Sequence, residues 1–181
     1  LLRSSSARKY NFHDVSFDDY CNRNRPSRYS GDASGAEAPL FAREAWFEVA
    51  RRGYGVEIKS RYISGSEAPG AAGEAARKFL LLNHKPEIMC TAMCNRTREG
   101  HGFDHYSKQW LRPDAPDDYA AGFECKDITM ANTANPKALD ETLTPTSGRS
   151  TRTLHASLEF IMLFLPPAVL LENVWRPGII P

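Results

Sequence analysis

Long apolar runs are missing from this chain. The longest, residues 160–171, is interrupted by Pro166 and Pro167, so it cannot cross a bilayer as one helix. Cysteine is scarce. Cys21, Cys90, Cys94 and Cys125 do not make two CxxC pairs, and Cys90 and Cys94, four apart, have no second ligand pair at zinc-site spacing. A disulfide framework or a structural zinc is therefore not expected, and a reducing compartment is the default. An excess of charge is also missing. The net charge of +1 excludes a strongly basic nucleic-acid module, whose side chains must neutralise several phosphates, but leaves room for a local patch. No internal repeat or long low-complexity tract is present.

What remains is an ordinary globular composition, 41% hydrophobic and 25% charged, in 181 residues, enough for one core. The start at Leu1 without methionine and the stop at Pro181 read as cuts in a longer protein. Residues 1–28 are polar and aperiodic and are expected to be a solvated, partly disordered terminus. Arg3, Arg8, Lys9, Arg23, Arg25 and Arg28 make this the most basic stretch. Residues 29–181 carry the domain. A small-residue turn near Gly31 to Gly35 precedes a helix over 39–52, with Leu40, Ala42, Ala45, Trp46, Val49 and Ala50 at helical spacing and Gly53 and Gly55 at its end. Residues 56–64 read as a strand, 71–82 as an alanine-rich helix, and 86–93 as a second strand. Residues 95–118 form an irregular connection and 119–125 a short strand. A long polar loop, a helix over 150–164 and a buried strand over 168–171 complete the chain. The alternation predicts an α/β fold with a mainly parallel sheet and helices on both faces. Ligands of such sheets sit beyond the carboxyl ends of the strands. Glu67, Cys125 and Glu172 are all expected there.

Two segments stand out. In Leu170-Leu171-Glu172-Asn173-Val174 a carboxylate and an amide follow an apolar strand directly. In Ala121-Gly122-Phe123-Glu124-Cys125-Lys126-Asp127 a cysteine stands between a strand and a polar loop, where Lys126 favours the thiolate and Glu124 opposes it. Taken alone, the first reads as a polar strand end and the second as an inert thiol.

Together and in this order, these segments resemble the cytosine-5 DNA methyltransferase family. Gly148-Arg149-Ser150 and the helix leading to Glu172-Asn173-Val174 are similar to the family's stretch ending in E-N-V. Gly122-Phe123-Glu124-Cys125 occupies the place of its Pro-Cys nucleophile loop, with Glu124 where the family has proline. Ser66-Glu67-Ala68, the helix after it and Asn83-His84 resemble its acidic strand end and following helix. Tyr29-Ser30-Gly31 through Gly35-Ala36-Glu37 resembles its glycine-containing cofactor loop, with Ala33 near an expected second glycine. The resemblance spans roughly residues 29–174. It implies a Rossmann-like S-adenosylmethionine-dependent methyltransferase fold, incomplete after E-N-V. It implies S-adenosyl-L-methionine as cofactor, held by Tyr29, Gly31, Gly35, Glu37 and Glu67, with Glu67 on the ribose hydroxyls. DNA is the implied partner, with RNA as an alternative, and neither a membrane nor a metal is expected. Cys125 is the implied nucleophile, and Glu172 with Asn173 its partners in catalysis. The location implied is the nucleus of a eukaryote or otherwise the cytoplasm.

Two other readings stand beside this one: an inactive relic of the same fold, binding cofactor or nucleic acid without turnover, and an unrelated nucleotide-binding module. His84, His101, His105 and His155 read as exposed or hydrogen-bonded rather than metal-bound. Tyr106 and Trp110 read as a small packing cluster rather than a base-stacking platform.

Overall fold

The computed structural model describes residues 25–32, 38–67, 70–123 and 149–172. Among these, five strands form one parallel sheet in the order β3-β2-β1-β6-β7. They are β1 (Ser27–Asp32), β2 (Ser60–Ser66), β3 (Ile88–Cys90), β6 (Asp118–Gly122) and β7 (Ala168–Glu172). Helix α1 (Ala38–Tyr54) connects β1 to β2, α2 (Ala71–Asn83) connects β2 to β3, and α3 (Arg149–Phe164) precedes β7. A two-stranded antiparallel hairpin, β4 (Gly102–Phe103) and β5 (Trp110–Leu111), lies between β3 and β6.

Strand alternation assigns the two faces. Ala120 packs with Tyr29, Tyr62 and Leu40 of α1, whereas its neighbours Tyr119 and Ala121 pack with Phe160 and Phe164 of α3. Helices therefore cover both faces, as expected. Helix α1 buries Leu40, Phe47 and Ala50 and ends at Gly55, whose φ of 68° suits the left-handed turn there. Its Phe41 meets His84, just beyond α2, edge to face at 4.7 Å. Helix α3 stops before Pro166–Pro167, which cannot continue it.

Several sequence-based expectations need correction. Strand β1 begins at Ser27, inside the stretch expected to be disordered. Its sequence, Ser-Arg-Tyr-Ser-Gly-Asp, lacks an apolar run because hydroxyls and a carboxylate pair across the sheet instead. Arg25 and Arg28 are not simply solvated: Arg25 donates to both oxygens of Asp117, at 2.9 and 2.6 Å, and the Arg28 guanidinium lies 3.6 Å from it. The strand expected over 86–93 is only Ile88–Cys90, because Met93–Asn95 turns into a short 3-10 helix. The strand over 168–171 was expected to be buried. β7 is instead exposed along its whole length, at the edge of the described sheet.

The amino-terminal edge of the sheet is locked by charge. Arg43 of α1 donates to Asp118, Ser60 and Ser27 at 2.8, 2.5 and 2.6 Å, tying together the starts of β6, β2 and β1. Among the described residues, no helix is long and apolar enough to cross a membrane.

Candidate active site at the carboxyl edge

All five strands are parallel, so their carboxyl ends share one edge. The chain runs outward from β1 to β2 and β3, then crosses to β6 and β7 on the other side. The reversal falls between β1 and β6, and open α/β sheets form their ligand crevice at such a point.

Three carboxylates mark this edge: Asp32 ends β1, Glu67 follows β2, and Glu172 ends β7. Glu67 is 3% exposed, and its carbonyl accepts a hydrogen bond from the Met93 amide. Glu172 is exposed and pairs in register with Gly122, the last residue of β6. Strands β2 and β7 stand three strand spacings apart, so Glu67 and Glu172 flank the crevice at about 14 Å. Cys125 lies outside the described residues, as do Asn173, Gly35 and Glu37. Cys125 follows Gly122 by three residues, so β6 carries the chain toward it from a point directly beside Glu172.

The two described cofactor candidates of the glycine-containing segment, Tyr29 and Gly31, differ in character. Tyr29 is 2% exposed and packs on Tyr62 with ring centres 5.2 Å apart, so its side chain belongs to the core under α1. Gly31 lies buried in β1, in register with Gly65 of β2 and Ala120 of β6. A Cβ on Gly65 would come within 2.5 Å of Tyr62 Oη. Gly65 makes room for the Tyr62 ring, which packs over it where β1 meets β2.

A polar cluster that sequence reasoning missed sits beneath this edge on the α3 face. Asp32 is 0% exposed and receives Arg96 Nη1 and Nη2 at 2.5 and 2.6 Å, the Ser66 hydroxyl at 2.5 Å and the Tyr119 hydroxyl at 2.7 Å. A register shift between Tyr29 and Ser30 aligns Ser30 with Ser64 and Asp32 with Ser66. Ser30 and Ser64 are hydrogen-bonded to each other. The Arg96 guanidinium also lies 4.6 Å from the Phe160 ring centre, a cation–π contact. Burial alone would lower the Arg96 pKa, but the charge and hydrogen bonds of Asp32 outweigh it and raise the pKa. Burial, reinforced by the Asp32 charge, pushes the Tyr119 hydroxyl well above its ordinary range. Tyr119 therefore stays protonated and acts as a donor. Burial likewise raises the thiol of Cys90, which ends β3, leaving it protonated and poorly nucleophilic. Arg96 and Phe160 also line a cleft of about 410 Å3 between the 93–100 segment and α3.

No side chain in Asp32's sequence neighbourhood signals this cluster, because Arg96 comes from 64 positions away. The signal that singled out Glu67 and Glu172, a carboxylate after a legible strand, is missing at Asp32, because β1 does not read as a strand. Among the described residues there is no group of three or more His, Cys, Asp or Glu side chains able to hold a metal ion. No protein-family model matches the chain, and no curated protein is similar enough to count as a relative.

Proposed function

We propose that this chain is the catalytic part of a cytosine-5 DNA methyltransferase, with a Rossmann-like fold built to take S-adenosylmethionine. The observation that carries the reading is the in-register pairing of Gly122 with Glu172 at the carboxyl edge. It brings the strand leading to Cys125 alongside the carboxylate of the E-N-V segment. The strand end three residues before Cys125 and the strand end at Glu172 are neighbours at the carboxyl edge, where open α/β sheets take their ligands, and this supports the reading.

The residues suit the chemistry. Carbon 5 of cytosine is a poor nucleophile. Addition of the Cys125 thiolate at carbon 6 makes carbon 5 enamine-like and able to take a methyl group. Glu172, hydrogen-bonded at ring nitrogen 3, stabilises the adduct. Loss of the carbon 5 proton then expels the thiolate and restores the ring. The base must leave the duplex to reach both groups. S-adenosylmethionine would supply the methyl group. The fit to that cofactor rests on Gly31, in β1 beside the switch to β6, and on Glu67 at the end of the next strand. A carboxylate in that position commonly holds ribose hydroxyls.

The test is transfer of a labelled methyl group to cytosine-containing DNA. Incorporation by this chain is expected to be weak, since Glu124 opposes the thiolate of Cys125; it should be abolished by Cys125→Ser and reduced on the order of a hundredfold or more by Glu172→Gln, the loss expected for a transition-state hydrogen bond. Incorporation that survives Cys125→Ser would remove the proposed nucleophile.

A further inference from the structure

The β4–β5 hairpin does not bury its aromatic residues in a common cluster. Tyr106 is 46% exposed and Trp110 51% exposed. Trp110 stands opposite Phe103 in the antiparallel register and meets it edge to face at 5.8 Å, which leaves much of the indole open to solvent.

The hairpin is firmly held. Asp104, 1% exposed, accepts the Met89 amide at 2.9 Å and both the amide and the hydroxyl of Ser107, at 2.7 and 2.8 Å. The Thr91 amide donates to Phe103 and the His105 amide to Met89, binding the hairpin along β3 up to its carboxyl end. Gly102 lies against Cys90 with no space for a Cβ. Lys108 adopts a left-handed conformation, φ 59°, in the tight turn.

The hairpin and its flanks carry cations that stand outside ion pairs. Among the described residues, Arg98, Lys108 and Arg112 form no ion pair, unlike the arginines of the amino edge and of α1. Arg112 is held in place by the Glu99 carbonyl, at 2.7 Å, and by the Phe164 ring, 4.9 Å from its guanidinium carbon. Within residues 97–112 the only exposed carboxylate is Glu99, because Asp104 is buried and fully engaged. His105 senses the same field: burial, then the charges of Lys108 and Arg77, hold its pKa below the ordinary value.

Open aromatic faces on a rigid mount, with cations outside ion pairs beside them, match the chemistry of an unpaired nucleic-acid strand. Bases stack on the rings, and phosphates meet the lysine and arginines. We infer that the β4–β5 hairpin is a second nucleic-acid contact, in which Trp110 and Tyr106 stack unpaired bases while Lys108 and Arg112 hold the backbone. This rests on the reading of the chain as an enzyme acting on nucleic acid, and assigns that substrate a contact away from the Cys125–Glu172 centre.

The measurement is fluorescence anisotropy of a labelled single-stranded oligothymidine with the full chain at low salt, with methyl transfer followed in parallel. Trp110→Ala should weaken binding roughly fivefold or more, the usual loss for one stacked base, while Trp110→Phe retains most of it. Lys108→Glu should weaken binding and flatten its salt dependence. Circular dichroism checks that each variant is folded. Undetectable binding, or a folded Trp110→Ala variant that binds as tightly as the parent, would overturn the inference. So would a polyglutamate peptide that competes on equal terms, since the surface would then select an acidic protein. Trp110-dependent binding without methyl transfer would count against the enzyme reading alone and leave the hairpin contact standing.

Discussion

Asp32 is fully buried and accepts four hydrogen bonds, and removing its charged partner should be costly. Arg96→Met leaves a carboxylate at 0% exposure with only two hydroxyl donors. Breaking a buried pair in this way costs about 3–5 kcal/mol, which should appear as a large fall in the urea midpoint. A second residue-scale prediction concerns acid. Burial would raise the carboxyl pKa of Asp104 and Asp117, but hydrogen bonds from Ser107 and Met89 in one case, and from Arg25 and Arg28 in the other, lower both. A carboxyl group depressed in the folded state stabilises it above the unfolded pKa of about 3.9 and loses that contribution as pH falls through the folded value. Stability should therefore fall steeply below about pH 4, and Asp117→Asn should make that fall shallower in denaturation curves taken across the range. These two networks illustrate what a sequence conceals. Arg25 and Asp117 lie 92 positions apart, and nothing local to either marks the pair.

At the scale of elements, helices were legible and strands less so. Apolar spacing gave α1 to within two residues at its far end and α3 to within one. Alanine richness gave α2 to within one residue. Strand β1 was not legible, because only Tyr29 among its six residues is a large apolar group. Its stability comes from parallel pairing on both sides, a tertiary effect. Strand β7 was legible as a strand, but its burial was misjudged: an apolar run resembles a central strand, and only the sheet order reveals an edge. Val169, Leu170 and Leu171 are exposed on that edge, which is a template for strand pairing with another copy. Leu170→Lys should therefore reduce self-association measured by light scattering at high protein concentration, with little change in the urea midpoint. An unchanged scattering signal would show that the edge is not the adhesive surface.

For the whole molecule, the parallel topology makes two separate sequence signals part of one edge. Glu67 and Glu172 were singled out because each follows a strand, and both lie at the carboxyl ends flanking the switch between β1 and β6. Cys125 and Asn173, with Gly35 and Glu37, lie outside the described residues, so the proposed catalytic centre rests on the strand ends that lead toward it. If that edge takes S-adenosylmethionine, calorimetry should detect binding to the chain, and Glu67→Ala should weaken it severalfold by removing the ribose contact. Equal binding by the variant would leave Glu67 a purely structural group beneath Met93. The most direct test of the central claim is the covalent adduct itself. The chain is incubated with S-adenosylmethionine and an oligonucleotide carrying 5-fluorocytosine, whose fluorine cannot leave as a proton does, and the trapped product is mapped by mass spectrometry. The account predicts a nucleotide linked to Cys125 and no adduct in Cys125→Ser. An adduct on Cys90 or Cys94, or none under conditions where both ligands bind, would contradict it.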